Sequence, residues 1–289
     1  MDAAPAAYGR DLPTMMLNGA LASIPSPPGN GFWLGPIFIH FYGVMYVIGI
    51  SLAIMIARRR WQAAGGGPEL VDAVWPWALF SGIIGARIYF DLTTPAQIPP
   101  HWWGVFAVWK GGLGIWGGVA LGAAVGIWRL HRAGAQIGVF LDAAAPALLV
   151  AQAIGRIGNY FNQELFGGPT ALPWGLQIDP PFRPPGYTQY TTFHPTFLYE
   201  LLFDLAWAGI LVWLGRRGVR PPGLFALYVA GYSAFRIFEE SLRIDYAQHF
   251  FGLRLNFFVA GGMTVLGLCW FALTQRHGSN RQPNARPHP

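Results

Sequence analysis

The run Gly155-Arg156-Ile157-Gly158-Asn159-Tyr160-Phe161-Asn162-Gln163-Glu164-Leu165-Phe166-Gly167 sets one arginine, two asparagines and one glutamate directly after a long apolar stretch. An ionisable side chain at the edge of a hydrocarbon layer is costly and is kept where it meets a partner, a substrate or water. Arg156 therefore needs an anion. A second polar set lies further on: Tyr232, Arg236 and Glu240 are spaced four apart, with Glu239 and Arg243 beside them. That spacing puts the three on one helix face. Read structurally, Arg236 and Glu240 satisfy each other as a buried ion pair. Read with Arg156 on a different segment, the two guanidinium groups are expected to overmatch the local carboxylates and to form an anion site. A guanidinium suits a phosphodiester, because its planar fork donates paired hydrogen bonds and keeps its charge when desolvated. Within a bilayer the abundant phosphodiester is a phospholipid.

His194 precedes Pro195, with Tyr199 and Glu200 following. Its imidazole serves either as a base near neutral pH or as a residue of the membrane interface. Arg87 and Asp91 lie four apart and are expected to neutralise each other. Asp142 is expected to be structural, capping the helix that carries it. Other catalytic patterns are missing: there is no His-Glu-x-x-His, no Gly-x-Ser-x-Gly, no phosphate loop and no cluster with metal-ligand spacing. No metal, nucleotide or other cofactor is expected. The one cysteine, Cys269, sits in Gly267-Leu268-Cys269-Trp270-Phe271 and reads as a small hydrophobe.

The elements that must position these groups follow from composition. Only 11% of the 289 residues are charged and 53% are hydrophobic, against roughly 25% charged in an ordinary soluble domain. That places the chain in a bilayer, and its 13 Trp, 11 Tyr and 21 Phe suit two lipid interfaces. The net charge of +6 sits in short basic clusters beside apolar spans, as orientation signals do, so nucleic acid is not an expected partner. No basic flank followed by a short apolar core and a small-residue site marks a removable signal peptide near the start.

Spans of about 20 apolar residues cross the hydrocarbon core, and seven are expected at 37–57, 70–92, 112–128, 139–156, 195–214, 223–242 and 255–274. The fold class is therefore an all-α, polytopic membrane helical bundle. Arg58, Arg59 and Arg60 follow the first span, Arg129 and Arg132 the third, Arg216, Arg217 and Arg220 the fifth, and Arg276, Arg281 and Arg286 the seventh. By the positive-inside rule those ends face the cytoplasm, which puts the N-terminus outside and the C-terminus inside. Residues 1–36 are then an external segment, 37–274 the membrane domain, 160–194 an external loop and 275–289 a disordered cytoplasmic tail. Gly114, Gly118, Gly122 and Gly126 recur every four residues and are expected to form a close-packing seam. Residues 94–110, rich in Pro and Trp, read as an outer interfacial loop, and 168–194, rich in Pro, as either a lid or a connector.

The four polar blocks resemble the prolipoprotein diacylglyceryl transferase family of bacteria, with the match running from about Ile37 to Thr274. The Gly155–Gly167 run is similar to the family signature, supported by His40-Phe41-Tyr42-Gly43, His194-Pro195-Thr196-Phe197-Leu198-Tyr199-Glu200 and Tyr232-Ser233-Ala234-Phe235-Arg236-Ile237-Phe238-Glu239-Glu240. The resemblance implies a multi-pass enzyme of the bacterial cytoplasmic (inner) membrane. It implies phosphatidylglycerol as donor, the lipobox cysteine of a prolipoprotein signal peptide as acceptor, a thioether as product and glycerol phosphate as leaving group, with membrane lipids as the surroundings. It also implies functional roles for Tyr42, Arg156, Asn159, Glu164, Gly167, Tyr232, Arg236 and Glu240. Arg156 and Arg236 are assigned to the phosphate, Glu240 to orienting Arg236, and Tyr42 and Asn159 to headgroup contacts. Glu164 and His194 are both candidates for moving the thiol proton. One departure stands out: in Gly111-Gly112-Leu113-Gly114-Ile115-Trp116-Gly117-Gly118, Trp116 occupies the place where many family members carry a histidine.

Two other classes fit charged stripes in apolar spans. An anionic-lipid transporter or flippase would carry an internal repeat, and none is visible. An assembly factor would use the same polar residues only to join helices.

Overall fold

In the computed structural model, residues 23–276 are described, except 246 and 248. The N-terminal stretch 1–22 and the tail from 277, expected to be external and cytoplasmic respectively, lie outside the described residues. Among the described residues seven long helices carry the fold: α1 (Phe41–Ala63), α2 (Pro68–Thr93), α3 (Ile115–Arg132), α4 (Ile137–Asn162), α5 (Thr196–Arg216), α6 (Gly223–Leu242) and α7 (Leu255–Arg276). Five of them, α1, α2, α4, α5 and α7, are long and apolar enough to cross a membrane. The other two are more polar in identifiable places. Helix α3 has 18 residues and ends in Arg129, His131 and Arg132, while α6 carries the stripe of Arg236, Glu239 and Glu240.

Two boundaries differ from the sequence reading. Ile37–His40, expected to open the first span, forms strand β2, paired antiparallel with β1 (Gly31–Leu34) in the register Gly31↔His40. A short apolar run of this kind does not distinguish strand from helix by hydropathy alone. Gly35, at φ +60, supplies the left-handed turn between the strands, and the Phe41 amide donates to Asn30 O at 2.8 Å where α1 begins. The fourth helix runs to Asn162 rather than stopping near 156. Arg156 and Asn159 are therefore helical, on its last two turns, and residues 160–162 belong to the helix rather than to the outer loop.

The helices pack as α1 on α4, α2 on α3, α4 on α5 and α6, α5 on α6, and α6 on α7. The expected glycine seam is present between α2 and α3. A Cβ at Gly122 would come 2.9 Å from Ala78 O, and one at Gly118 3.2 Å from Ala86 Cβ and from Gly82 O. Small residues here let two backbones touch, which is how helices associate where hydrophobicity drives nothing.

The basic helix ends gather at one end of the bundle. Arg58 pairs with Asp72 at 3.2 Å, joining the end of α1 to the start of α2, and Arg129 donates to Ala73 O. Arg60 donates to Asp142 O at 3.4 Å, and Arg220 donates to Gln275 O at 2.9 Å. Asp142 is structural, as expected, but it caps a different helix: its Oδ1 accepts the Phe225 amide at the start of α6 at 2.9 Å. The first-turn amides of a helix lack partners of their own, and here α4 supplies one.

At the opposite end the loops 94–110 and 168–194 are ordered by different means. In 94–110 there are three short 3₁₀ turns, Pro95–Gln97, Gly104–Phe106 and Val108–Lys110, and the Arg87 guanidinium holds the second turn and the chain on either side of the third. It donates to Val105 O (2.8 Å), Gly104 O (2.6 Å), Gly111 O (3.0 Å), Gly112 O (3.3 Å) and Ala107 O (3.5 Å). It pairs with Asp91 at 3.0 Å, as its spacing predicts. The 168–194 loop instead has its own hydrophobic core of Phe166, Leu176, Ile178 and Phe193, with Ile24, Tyr160, Tyr187 and Tyr190 packed around it. Strands β3 (Leu176–Gln177) and β4 (Thr192–Phe193) pair within it. It is a folded cap over this end of the bundle. A third hairpin, β5 (His249–Phe250) and β6 (Leu253–Arg254), leads into α7.

Candidate active site

Three helices, α4, α5 and α6, bring charge together beneath the cap. The hub is Glu200 in the first turns of α5, with 0% of its surface exposed. Arg156 Nη2 lies 2.7 Å from each of its carboxylate oxygens, Tyr232 donates to it at 3.0 Å, and Arg236 Nη1 is 3.6 Å away. Arg236 also pairs with Glu239 and Glu240, its own i+3 and i+4 neighbours. Glu240 in turn accepts from Arg254 Nε at 2.6 Å and from Asn256 at 3.1 Å. Asp245 accepts from Arg243 at 2.7 Å and from Arg254 at 3.2 Å.

The expectation that the arginines overmatch the local carboxylates is therefore corrected. Arg156, Arg236, Arg243 and Arg254 face Glu200, Glu239, Glu240 and Asp245, so the ion-paired groups balance. What remains is a direction. The side chains of Arg156 and Arg236 are each 17% exposed, while those of Glu200, Glu239 and Glu240 are exposed by 1% or less. The carboxylates are thus fully buried, while the arginine side chains that pair with them keep partial exposure. Pre-set donors of this kind act on an incoming anion without reorganising.

From Arg156 the network runs outward along the signature. Nη1 donates to Asn159 Oδ1 at 3.1 Å, and Asn159 Nδ2 donates to Glu164 Oε1 at 2.8 Å, which Asn162 also reaches at 3.2 Å. Glu164 is exposed and sits between two residues with left-handed backbone, Gln163 (φ 51) and Leu165 (φ 59). Such conformations cost of order 1–3 kcal/mol each and persist where surroundings over-determine them. The determinant at Gln163 is visible: its side chain donates to Asp179 Oδ2 at 2.7 Å and accepts the Asp179 amide at 2.8 Å, binding the end of α4 to the cap. The bonds from Gln163 and Ser26 hold the Asp179 carboxyl below its ordinary range.

Glycines set the close approaches. A Cβ on Gly158 would lie 2.5 Å from the Tyr42 ring, so this glycine seats Tyr42 of α1 against α4 between Arg156 and Asn159. The Tyr42 hydroxyl has Tyr46 as its partner at 3.1 Å. A Cβ on Gly167 would lie 2.8 Å from His194 Cβ and 3.0 Å from Leu242 O, which threads the end of the signature between α5 and α6. Among the described residues no hydrogen bond joins the His194 ring to an arginine. Its Nδ1 is 3.2 Å from Tyr199 Oη, which takes the Trp174 indole N–H at 3.1 Å, and burial lowers the affinity of its imidazole for a proton. Trp116, on α3, is 48% exposed.

Of the residues singled out in sequence, Arg156, Asn159, Glu164, Tyr232, Arg236 and Glu240 thus form one connected set, and Tyr42, Gly167 and His194 border it. Glu200, Glu239 and Arg254 were given no role there. Glu200 was detectable in principle, being an acid inside an otherwise apolar span. Arg254, reached only through tertiary contacts, gave no such signal. Asp204, one turn beyond Glu200, is fully buried and neither carboxyl oxygen has a hydrogen-bond partner among the described residues.

The chain matches the family model described as "Prolipoprotein diacylglyceryl transferase" over residues 30–273. Among curated proteins it is 44% identical to the phosphatidylglycerol–prolipoprotein diacylglyceryl transferase of Cutibacterium acnes, covering 92% of this chain and 91% of that one. Its identity to the protein of the same name from Bifidobacterium adolescentis is 42%, covering 91% and 83%. To the second such protein of Streptomyces coelicolor it is 46%, covering 82% and 76%.

Proposed function

Since the chain belongs to the prolipoprotein diacylglyceryl transferase family, we propose that it is a transferase moving the diacylglyceryl group of phosphatidylglycerol onto the lipobox cysteine of a prolipoprotein. The transporter and assembly-factor readings have no comparable support. The observation that carries the site assignment is the arginine pair: Arg156 and Arg236, on separate helices, share the buried Glu200 and keep partly exposed side chains. The protein crosses the bacterial cytoplasmic membrane seven times, with the gathered basic ends inside, the capped site outside, and α3 and α6 spanning as partners of α2 and of α5 and α7.

The phosphodiester of the donor lipid is held by the exposed edges of the two guanidinium groups. The cysteine sulfur attacks the glycerol carbon that bears the phosphate ester, forming a carbon–sulfur bond as the carbon–oxygen bond breaks. The electron pair goes to the departing phosphate oxygen, and glycerol phosphate leaves. Negative charge grows on that oxygen in the transition state, so donors fixed there lower the barrier rather than only tightening binding. The thiol proton passes to Glu164, which is exposed and joined to Arg156 through Asn159. His194, tied to Tyr199 rather than to an arginine, supports the cap. The positive edges also favour the thiolate of a cysteine whose free pKa is about 8.5.

The test is direct. Full-length protein in phosphatidylglycerol-containing nanodiscs is given a lipobox peptide with cysteine or with serine at the acceptor position. A peptide mass increase by one diacylglyceryl group, with matching release of glycerol phosphate from the cysteine peptide alone, is expected. Lipid movement without glycerol phosphate release would reject the reaction.

A further inference from the structure

Arg254 ends the β5–β6 hairpin and immediately precedes α7. It is 9% exposed, and all three of its guanidinium nitrogens are engaged. Nε donates to Glu240 Oε2 at 2.6 Å, Nη1 to Asp245 O at 2.8 Å and to Arg243 O at 3.3 Å, and Nη2 to Asp245 Oδ1 at 3.2 Å. Four of its five N–H groups are thus used within the protein. Its influence passes through Glu240, whose other oxygen, Oε1, faces Arg236 and accepts from Asn256. Glu240 is thus divided: Oε2 meets Arg254, and Oε1 meets Arg236, with Arg243 Nη1 3.8 Å from it.

We infer that Arg254 is a positioning residue for the transfer reaction, holding Glu240 so that Arg236 keeps its outer edge toward the lipid phosphate. The physical reason is competition. Glu240 is buried, and a buried carboxylate that loses one cation turns fully upon the next. Without Arg254 its Oε2 has no partner, and Arg236 is drawn onto it, away from the accessible face. The Asp245 carboxylate anchors the far side of Arg254. Burial opposes its charge, but the bonds from Arg243 and the field of Arg254 prevail and keep its pKa below the ordinary range. The anchor is therefore charged throughout the neutral range.

This rests on the transferase reading, and the experiment separates the two. Arg254→Gln, Arg254→Lys, Glu240→Gln and the double variant Arg254→Gln/Glu240→Gln are compared as full-length proteins in phosphatidylglycerol nanodiscs. The readouts are kcat, KM for the lipid, lipid affinity from intrinsic tryptophan fluorescence, and thermal midpoint. Arg254→Gln should raise KM and lower kcat, with kcat/KM falling on the order of 100-fold, as for a displaced positioning group. Arg254→Lys, which keeps a cation beside Glu240 but cannot also span Asp245, should recover part of that loss. The double variant should be no worse than the poorer single one, because Arg254 acts only through Glu240. Multiplying effects, or an Arg254→Gln enzyme with unchanged kcat and KM and only a lower thermal midpoint, would overturn the inference. Should Arg254→Gln not fold, Asp245→Asn still decides: it loosens the anchor that Arg254 shares with Arg243 and should raise KM, and an unchanged KM refutes the role. A wild-type protein without transfer activity would sink the transferase reading alone, since lipid affinity would still report the positioning.

Discussion

Replacing Arg156 by lysine keeps the charge and removes the fork, which separates the ion pair from the phosphate contact. In the resting site Arg156 spends Nη2 on Glu200 at 2.7 Å and Nη1 on Asn159 at 3.1 Å. A lysine ammonium can still neutralise Glu200, so the penalty of several kcal/mol for an unpaired buried charge is avoided. The stability loss is then that of one hydrogen bond, about 1 kcal/mol, or about 2–4 °C in melting temperature. The rate should suffer far more. An ammonium cannot present two parallel donors to a phosphodiester, and losing one aligned donor to a developing oxyanion costs about 2–4 kcal/mol, roughly 30- to 1,000-fold. The assay is single-turnover transfer from phosphatidylglycerol to a lipobox peptide, run beside a melting curve of the same preparation. A folded Arg156→Lys enzyme with near wild-type transfer would refute two-pronged phosphate binding. A melting temperature lowered enough to explain the lost activity would refute the separation of charge from geometry.

Trp116→Phe should retain substantial activity and the wild-type pH profile, because no group at that position titrates; selective loss of the chemical step would show that the indole takes part. The lowered pKa of His194 means that the folded protein binds fewer protons there than the unfolded chain. Stability should therefore fall as pH drops from about 6.5 through the depressed value. His194→Gln should flatten that limb of a melting-temperature series, and an unchanged slope would assign it elsewhere. In a Cys269→Ser background, an impermeant thiol reagent applied from outside should label a cysteine placed at Gln189 and not one at Arg217; the reverse pattern would invert the topology.

Hydropathy located the helices because five of them are long and apolar enough to cross a bilayer, and it failed at Ile37–His40, where four residues are too few to carry a period. The i, i+4 rule found Arg87 with Asp91 and Arg236 with Glu240, since both partners ride one helix. It could not find Arg156 with Glu200, separated by 44 positions, or Asp142 with the Phe225 amide, separated by 83. Those pairings depend on how helices are rotated against each other, which the close approaches at Gly49, Gly158 and Gly167 help to fix and composition does not. For the same reason the excess of positive charge inferred from Arg156 and Arg236 vanished once Glu200 was in place beneath both.

The single guanidinium of Arg87 gathers five carbonyl oxygens from a segment with no sheet and only isolated helical turns. In this respect the side chain does for the loop what a bound calcium ion does for a chelating loop elsewhere, collecting backbone dipoles around one positive centre. The difference is that this centre is encoded in the chain. It cannot be stripped by a chelator, because covalent bonds hold it to the backbone of α2. A loop built this way needs no metal supply from its surroundings, and its shape is inherited with one codon.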